Sequence, residues 1–365
     1  MPSASANSDL PTWTVSKMPS PPTAGFGGAW PRDVVAGGPG FVAVGSASPC
    51  CADASFDDEP WEAVIWTSTD GADWTLVPDL ASFGKAGLRA IDIDATGTMV
   101  AVGHEVVPPA PDDQRNLFLM KARAWRSTNG VDWFAVEGLD GAGLNDVVAT
   151  PDGWTVAGEV DGHPAIFSSP DLAAWTVRTF DGFGPMQHLA ASADGTVVAT
   201  ACIAETQDGG CSTAVYVAAD AGSWQQATGD MGFVNDVIAW NDGFLAVGSN
   251  QDSTGIQTWS SVDGMAWKTG REALTTSGGS IWTVASTGEE LIGGGAYLTG
   301  DPPSHQPAAW RSDDGADWRP MGILERSDGQ ADGRVTALVV TDDRIVALGL
   351  AFVGEAGTYR WIGQR

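Results

Sequence analysis

A nine-residue segment recurs along the chain and constrains its fold more than any other feature. The segment begins with Trp, has Ser two residues later and Asp-Gly or Asn-Gly at its centre, and ends on a second Trp. Clear copies span residues 66–74, 125–133, 259–267 and 310–318, and weaker copies span 167–175 and 216–224. A repeat of this kind predicts an array of similar structural modules.

An apolar hairpin precedes each copy of the segment. The first hairpin spans residues 33–45, and its equivalents end at Gly103, Gly158, Ala201, Gly248, Gly294 and Gly349. Short apolar runs joined by turn residues at this spacing are typical of strands. Two hairpins per repeat therefore predict seven four-stranded sheets.

The seventh module lacks its last strand, and the N-terminus supplies a match. The seventh hairpin is followed by Tyr359 and Trp361 but by no second Trp, whereas Trp13 begins a segment similar to the last strand of a repeat. An N-terminal strand that completes the last sheet removes an open edge. We therefore expect an all-β, seven-bladed β-propeller whose last blade is closed by the N-terminal strand. Separate β-sandwiches would not explain a final repeat that is one strand short.

The predicted organisation is a flexible leader over residues 1–11 and a single propeller domain over 12–365. The blades are expected at approximately 28–79, 86–138, 142–180, 186–228, 232–270, 279–321, and 333–365 plus 12–17.

The net charge and the cysteines indicate which binding partners and which cellular compartment to expect. The formal net charge of −28 disfavours nucleic acid and anionic membrane surfaces, and no apolar run is long enough to insert into a membrane. Cys202 and Cys211 flank a polar turn, which predicts a disulfide, whereas the adjacent Cys50 and Cys51 leave a vicinal disulfide, two thiols or one cross-link open. We expect a monomer that is secreted or held at the cell surface, with the leader as a linker.

The central Asp of each repeat segment is expected to accept hydrogen bonds from the backbone of its turn, with Gly at the positive-φ position. The paired Trp residues are expected to pack between blades. Because the set recurs, a structural role is favoured over catalysis by Asp70, Asp263 or Asp314. The residues assigned to this role are Ser68, Asp70, Trp74, Ser127, Asn129, Trp133, Asp171, Trp175, Asp220, Trp224, Ser261, Asp263, Trp267, Ser312, Asp314 and Trp318.

These segments resemble the Asp-box, or BNR, repeat of sialidase-like β-propellers, and are similar to a turn motif of propellers in the photosystem II assembly-factor group. They are a shortened variant, with one residue fewer between Asp and Gly. The resemblance implies that the repeat turns lie on the face opposite the functional site.

The long connections are expected on that functional face. They span residues 46–62, 104–120 and 298–306, and the four histidines are expected on these loops or at strand ends. The acidic run Asp57, Asp58 and Glu59 is a weak candidate for Ca²⁺, with solvated loop charge favoured. No cofactor is predicted.

The inner strands are expected to begin around a common mouth. One predicted ring holds Asp33, Ile91, Asp146, Leu189, Asp236, Trp282 and Ala337, preceded by Arg32, Arg89, Asn145, His188, Asn235 and Arg334. Such a mouth suits polyhydroxylated or carboxylated ligands. The favoured interpretation of its Asp and Asn residues is nevertheless that they cap strand ends or bind channel water. The candidate ligand-binding residues are Arg32, Asp33, Arg89, His104, Asp146, His188, Asp236, Trp282 and Arg334.

A sialidase mechanism is disfavoured. It needs an arginine cluster, which Arg32, Arg89 and Arg334 could form, and a Tyr nucleophile with a Glu partner. Tyr216 and Tyr359 occupy repeat-core positions, and Tyr297 has no obvious Glu. No catalytic residue is assigned.

The sequence therefore favours a binding module for a glycan or a partner protein. The alternative is a glycoside hydrolase or polysaccharide lyase that uses the same mouth, and a third class is an assembly or scaffold factor.

Overall fold

The structure is a computed structural model. It describes residues 11–22, 28–47, 62–107, 119–139, 141, 143–182, 184–205, 211–219, 223–229, 231–249, 255–270, 279–299, 304–324, 332–351 and 357–364. The acidic run Asp57 to Glu59, the Cys50–Cys51 pair and Asp220 lie outside these residues, as do most of the connections 46–62 and 104–120 and part of the connection 298–306.

The strands form seven four-stranded antiparallel sheets, which confirms the predicted seven-bladed propeller. The first strand is β1 (Trp13–Lys17). Blade 1 contains β2 (Ala29–Gly37), β3 (Gly40–Ala47), β4 (Glu62–Ser68) and β5 (Thr75–Leu76); blade 2 contains β6 (Ala86–Ile93), β7 (Met99–Val107), β8 (Leu119–Ser127) and β9 (Phe134–Val136). A 3₁₀ turn, Ala81–Phe83, lies between them.

The next three blades repeat this order from the inner to the outer strand. Blade 3 contains β10 (Gly143–Thr150), β11 (Gly153–Val160), β12 (His163–Ser169) and β13 (Thr176–Thr179); blade 4 contains β14 (Met186–Ala191), β15 (Val197–Glu205), β16 (Cys211–Ala218) and β17 (Gln225–Gln226); blade 5 contains β18 (Phe233–Trp240), β19 (Gly243–Ser249), β20 (Ile256–Ser261) and β21 (Lys268–Thr269). Cys202 and Cys211 lie on neighbouring strands of blade 4, and their disulfide stays a prediction.

The last two blades complete the ring. Blade 6 contains β22 (Gly279–Ser286), β23 (Leu291–Thr299), β24 (Ser304–Ser312) and β25 (Arg319–Ile323); blade 7 contains β26 (Gly333–Val340), β27 (Arg344–Ala351), β28 (Gly357–Gln364) and, as its outer strand, β1. Trp13 pairs with Gly363 and Lys17 with Tyr359. The N-terminal strand therefore closes the last blade, as predicted. No helix in the described ranges has the length and apolar character to cross a membrane.

The hydrophobic core is divided into clusters that lie between neighbouring blades. Between blades 1 and 2, for example, Val42 and Ile65 pack with Leu88, Met99 and Trp125, all of them buried. The second strand of each sheet contributes to clusters on both faces, which explains its continuous apolar sequence. Each blade is stabilised by both of its neighbours.

The repeat turns have the hydrogen bonds expected of them. In the first, one carboxylate oxygen of Asp70 accepts from the backbone N–H of Ala72 and Asp73 at 2.8 and 2.9 Å. The indole of Trp74 donates to the carbonyl of Gly71 at 2.8 Å. The same indole-to-carbonyl bond recurs at Trp133, Trp267 and Trp318. The four clear repeat turns thus anchor their second Trp locally, whereas the indole N–H groups of Trp175 and Trp224, in the weaker copies, are buried without a hydrogen-bond partner within the described part of the chain.

The glycine of the repeat turn satisfies two constraints together. Gly130 has φ of +73°, and a Cβ there would lie 2.6 Å from Cγ2 of Val42 in the preceding blade. Gly71, Gly264 and Gly315 are equally confined. Blade 3 has Leu172 at this position, with φ of +63° and its side chain packed into the core cluster between blades 2 and 3.

We expect Gly130→Ala to lower the free energy of unfolding by about 2–4 kcal/mol, because left-handed backbone strain and overpacking add. Gly97→Ala is the matched control: φ is +86°, but nothing lies within 4 Å of the added Cβ. Its expected cost is about 1–2 kcal/mol from strain alone. Urea unfolding of both variants measures the difference, and equal losses would contradict the packing role of Gly130.

Candidate functional site

Every inner strand contains a β-bulge near its beginning. In each blade the pairing of the first two strands skips one residue at the equivalent place. A bulge leaves its extra residue outside the ladder and redirects that side chain. The bulge residues are Arg32, Arg89, Asn145, Gln187, Asn235, Trp282 and Thr336.

A glycine on the second strand makes room for the bulge. A Cβ on Gly45 would overlap the carbonyl oxygen of Trp30, and Gly103 and Gly248 face the same obstruction. In six of the seven blades a glycine therefore accommodates the bulge, while blade 4 has Ala201 at the equivalent position. In blade 6 the residue in this position is Gly295, one residue later than the predicted Gly294.

All seven bulge residues line one cavity of ≈490 Å³ at the centre of the ring. It lies at the end of the inner strands that is opposite the short hairpin turns. The residues that follow the bulges in blades 1 to 6 also line it: Asp33, Ala90, Asp146, His188, Asp236 and Thr283. The cavity is the mouth that the sequence predicted.

The bulges correct the predicted ring. Ile91 and Leu189 are one position too far along their strands, where Ala90 and His188 stand, and Trp282 belongs to the bulge ring instead. In that ring Gln187 and Thr336 replace the predicted His188 and Arg334. Gln187, Thr283, Thr336 and Phe233 were missed. The spacing from the bulge residue to the hairpin glycine differs by one residue between blades 1 and 2, and blade 4 has Ala201 in place of the glycine, so the sequence held no constant spacing that would have identified them.

Three of the bulge side chains bind the next blade. The amides of Asn145 and Asn235 donate to the carbonyls of Met186 at 2.9 Å and Ile281 at 2.6 Å, and the hydroxyl of Thr336 donates to Pro31 at 2.6 Å. Each accepting carbonyl belongs to the residue before the next blade's bulge. These three side chains therefore have a structural role.

The three aspartates of the mouth also bridge blades. Asp33 accepts from the backbone N–H of Val34 in its own strand at 2.7 Å and from Ile91 in blade 2 at 2.9 Å. Asp146 and Asp236 make the equivalent bonds, to Leu189 in blade 4 at 2.7 Å and Val284 in blade 6 at 2.8 Å. In each carboxylate, one oxygen therefore accepts a hydrogen bond from its own strand and the other accepts one from the inner strand of the next blade.

Burial in the mouth raises the pKa of these carboxyl groups despite the hydrogen bonds. The pKa of Asp33 and of Asp236 rises to about 7. The pKa of Asp146 also rises, through burial and then through the charges of Asp33 and Asp236. Near neutral pH the carboxyl groups of Asp33 and Asp236 in the mouth therefore gain and lose protons.

Arg32 and Arg89 line the cavity and form a cationic cluster with Arg334 of blade 7, which is not part of the lining. Burial, followed by the charges of Arg89 and Arg334, lowers the pKa of Arg32 to about 10. Nε of Arg32 and of Arg334 is buried and has no hydrogen-bond partner. Among the residues that the structure describes, no carboxylate forms an ion pair with any of the three, so the cluster is suited to an anionic ligand.

Aromatic rings lie on the same mouth. Trp282 is 37% exposed, and its indole N–H donates to the hydroxyl of Ser280 at 2.8 Å, which fixes the ring. The guanidinium of Arg334 stacks over Trp282, 4.4 Å from the ring centroid. Phe233 of blade 5 is also exposed at the cavity. Exposed rings beside hydrogen-bonding groups suit sugar rings.

The histidines differ from the expectation that all of them lie on loops or strand ends. His104 is inside β7, is buried, and does not line the cavity; burial and then the charges of Arg89 and Arg32 lower its pKa to about 4. His188 lines the cavity, and burial lowers its pKa to about 4. His163 and His305 lie at or near the start of the third strand of blades 3 and 6.

The remaining candidate groups lie elsewhere. None of the three tyrosines, all of them described, lines the mouth: the Tyr297 hydroxyl accepts from Trp310, and Tyr216 bonds to Asp181. A cleft of ≈710 Å³ lies between blades 4 and 5 at the hairpin-turn face, beside Trp240 and Phe244. It contains none of the predicted ligand-binding residues.

Comparisons with known proteins agree with the fold. No protein-family model matches the chain, and no curated protein matches it. The Trypanosoma rangeli sialidase in complex with sialic acid is 12% identical over 97% of this chain and 59% of that chain, with a TM-score of 0.50. A mutant of that sialidase displaying trans-sialidase activity is 14% identical over 76% of this chain and 54% of its own, with a TM-score of 0.44.

The β-propeller domain of the Trilobed protease from Pyrococcus furiosus is 9% identical, with 91% of this chain and 93% of that chain covered and a TM-score of 0.53. The chain spans between half and three-fifths of the length of the two sialidase structures. At these identities the likeness shows the propeller fold alone.

We expect the protein to be more stable at pH 5.5 than at pH 8. Asp33, Asp92, Asp146 and Asp236 have raised pKa values, so the folded state holds protons that the unfolded chain releases above its pKa near 4. This stabilisation is lost as the pH rises through about 7. The two buried histidines act oppositely below pH 6.5, but four carboxyls outnumber them.

Thermal melts across this range measure the effect, and we expect the Tm to fall by a few degrees from pH 5.5 to pH 8. A Tm that rises over the same interval would mean that these carboxyls are ionised throughout.

Proposed function

We propose that the protein is a binding module whose central mouth takes an acidic glycan, held by its carboxylate or sulfate. The single observation that carries this proposal is the cluster of Arg32, Arg89 and Arg334, which lacks anionic partners in the described ranges and stands beside the exposed ring of Trp282. Guanidinium groups bind such anions through paired N–H donors, and a neighbouring aromatic face packs against the sugar ring.

The bonds around the mouth divide the side chains by role. Asn145, Asn235 and Thr336 hold the next blade, whereas Arg32, Arg89, Gln187 and Trp282 make no such bond among the described residues. We assign recognition to this second group together with Arg334. The repeat turns, which we interpret as a shortened Asp-box variant, serve the fold.

The sialidase solved with sialic acid is a propeller that binds a carboxylated sugar. This likeness is compatible with the proposal, but the cluster in this mouth is its support. A partner protein that presents an acidic side chain is the alternative ligand. We further propose that the protein acts outside the cytoplasm, which fractionation of the native host would test.

The first test is a glycan array that carries trigalacturonate, sulfated disaccharides and neutral trisaccharides, with mass spectrometry of each spot. Retention of acidic sugars without mass change supports a binding module. A cleaved or unsaturated product would establish the enzyme alternative and direct attention to Asp33, Asp146 and Asp236 as proton donors. Retention of neutral sugars alone would contradict the proposed role of the arginines.

We expect Arg89→Gln to weaken the binding of trigalacturonate by about 10- to 100-fold, because one charge-assisted contact is lost. Arg126→Gln is the matched control, since Arg126 is exposed on β8 of the same blade and is remote from the mouth. Calorimetry measures both affinities. Equal effects of the two substitutions would indicate a general charge effect instead of a site.

We expect Trp282→Ala to weaken the binding of trigalacturonate by about tenfold, because the ring no longer stacks on the sugar or supports the guanidinium of Arg334. Trp282→Phe should retain most of the affinity. Phe134→Ala is the control, because Phe134 is an aromatic ring exposed at 63% on the outer strand of blade 2. An unchanged affinity for Trp282→Ala would remove the aromatic ring from the proposed site.

A further inference from the structure

The mouth contains two groups of like charges at successive levels. Arg32 and Arg89 are bulge residues, while Asp33, Asp146 and Asp236 each come one residue later in their strands, and all five line the same cavity. Any coupling of the two groups through a ligand rests on the proposed function, because it requires an anion at the arginines.

The two groups do not neutralise each other. The charges that act on Arg32 are those of Arg89 and Arg334, and the charges that act on Asp146 are those of Asp33 and Asp236. No ion pair joins an arginine of the mouth to one of these aspartates in the part of the chain that the structure describes. Each carboxyl group therefore has other carboxyl groups as its charged neighbours.

We propose that an anionic ligand group bound at the arginines draws protons onto Asp33, Asp146 and Asp236, so that acidic ligands bind more tightly as the pH falls. A sphere of ≈490 Å³ is about 10 Å across, so an anion inside the cavity lies near all three carboxyl groups. Like charges repel each other over this distance, and the repulsion is stronger at buried carboxyl groups than between charges in bulk water. A proton on each carboxyl group removes its repulsion of the anion. Because this coupling is reciprocal, ligand binding favours protonation and protonation favours ligand binding.

The hydrogen bonds leave capacity for these protons. Each carboxylate oxygen accepts one backbone N–H, and Asp236 also has a side-chain hydrogen bond with Thr283. A carboxylate oxygen with one or two such bonds can also bear a proton. With the pKa of Asp33 and Asp236 at about 7, the protons are exchanged near neutrality. Binding then raises these pKa values further, and the pH dependence levels off once the free protein is fully protonated.

The other titratable groups around the mouth do not produce this pH dependence of ligand affinity. His104 and His188 have pKa values of about 4, so both stay neutral from pH 5.5 to pH 8.5. The arginines stay charged. Asp92, whose pKa is raised to about 6 by burial, bridges β6 to Ala149 and does not line the cavity, although its charge acts on Asp33.

The test is calorimetry with trigalacturonate from pH 8.5 to pH 5.5, where the sugar carboxylates stay ionised. We expect the Kd to fall by about tenfold as the pH falls, mostly between pH 8 and pH 6.5. Titrations at pH 7 in two buffers of different ionisation enthalpy should show net proton uptake by the wild-type protein.

Asp146→Asn should reduce both the pH dependence and the proton uptake, because Asp146 interacts with both other carboxyl groups. Asp92→Asn is the matched control: it removes the same kind of backbone bridge outside the cavity and should retain the pH dependence. If neither variant folds, the two-buffer measurement on the wild-type protein still decides the question.

Binding with a pH-independent Kd and no proton uptake would overturn this inference and leave the proposed function intact. An affinity that rises with pH would also overturn it, and would indicate that ionised carboxylates receive a cationic group of the ligand. The absence of binding at every pH would contradict the proposed function itself, and this inference with it.

Discussion

The bulge near the start of every inner strand is the constraint on which the mouth depends. An extra residue in a strand cannot join the ladder, so its side chain is redirected, and seven such residues meet at the ring axis. The bulge brings a carbonyl oxygen against the second strand, where glycine leaves room for it in every blade but the fourth. The repeated hairpin glycine and the lining of the mouth are thus two consequences of one backbone geometry.

The same geometry lets side chains of the mouth hold the ring together. Blades 3 and 5 each use an Asn and an Asp to hydrogen-bond the inner strand of the next blade. In blade 1, Asp33 alone makes such a bond, to blade 2. Because Asn145 and Asn235 are committed to these bonds, substitutions there weaken the ring itself. Arg32, Arg89 and Trp282 make no hydrogen bond to the next blade among the described residues. Substitutions at these positions can therefore change ligand recognition without removing a bond that holds the ring.

The sequence was sufficient for the architecture because the architecture is periodic. The recurring apolar hairpin gave seven blades, and the match between Trp13 and the last strand of a repeat predicted the closure. Residue-level register was not accessible, because a bulge shifts alternation by one residue without changing composition. This is why Ile91 and Leu189 were placed in the ring where Ala90 and His188 stand, and why bridging by Asp33 became visible only in three dimensions.

An arginine cluster at the centre of a protein with a net charge of −28 has a consequence for selectivity. Coulomb repulsion acts on an approaching anion in proportion to its own charge, while ionic strength screens it beyond about 10 Å. Contact with Arg32 and Arg89 acts only inside the mouth. A long polyanion meets the acidic exterior along its whole length and gains contact at one place, whereas a short acidic sugar experiences less repulsion for the same contact. Under the proposed function, this charge distribution favours small acidic ligands, or the ends of chains, over extended polyanions.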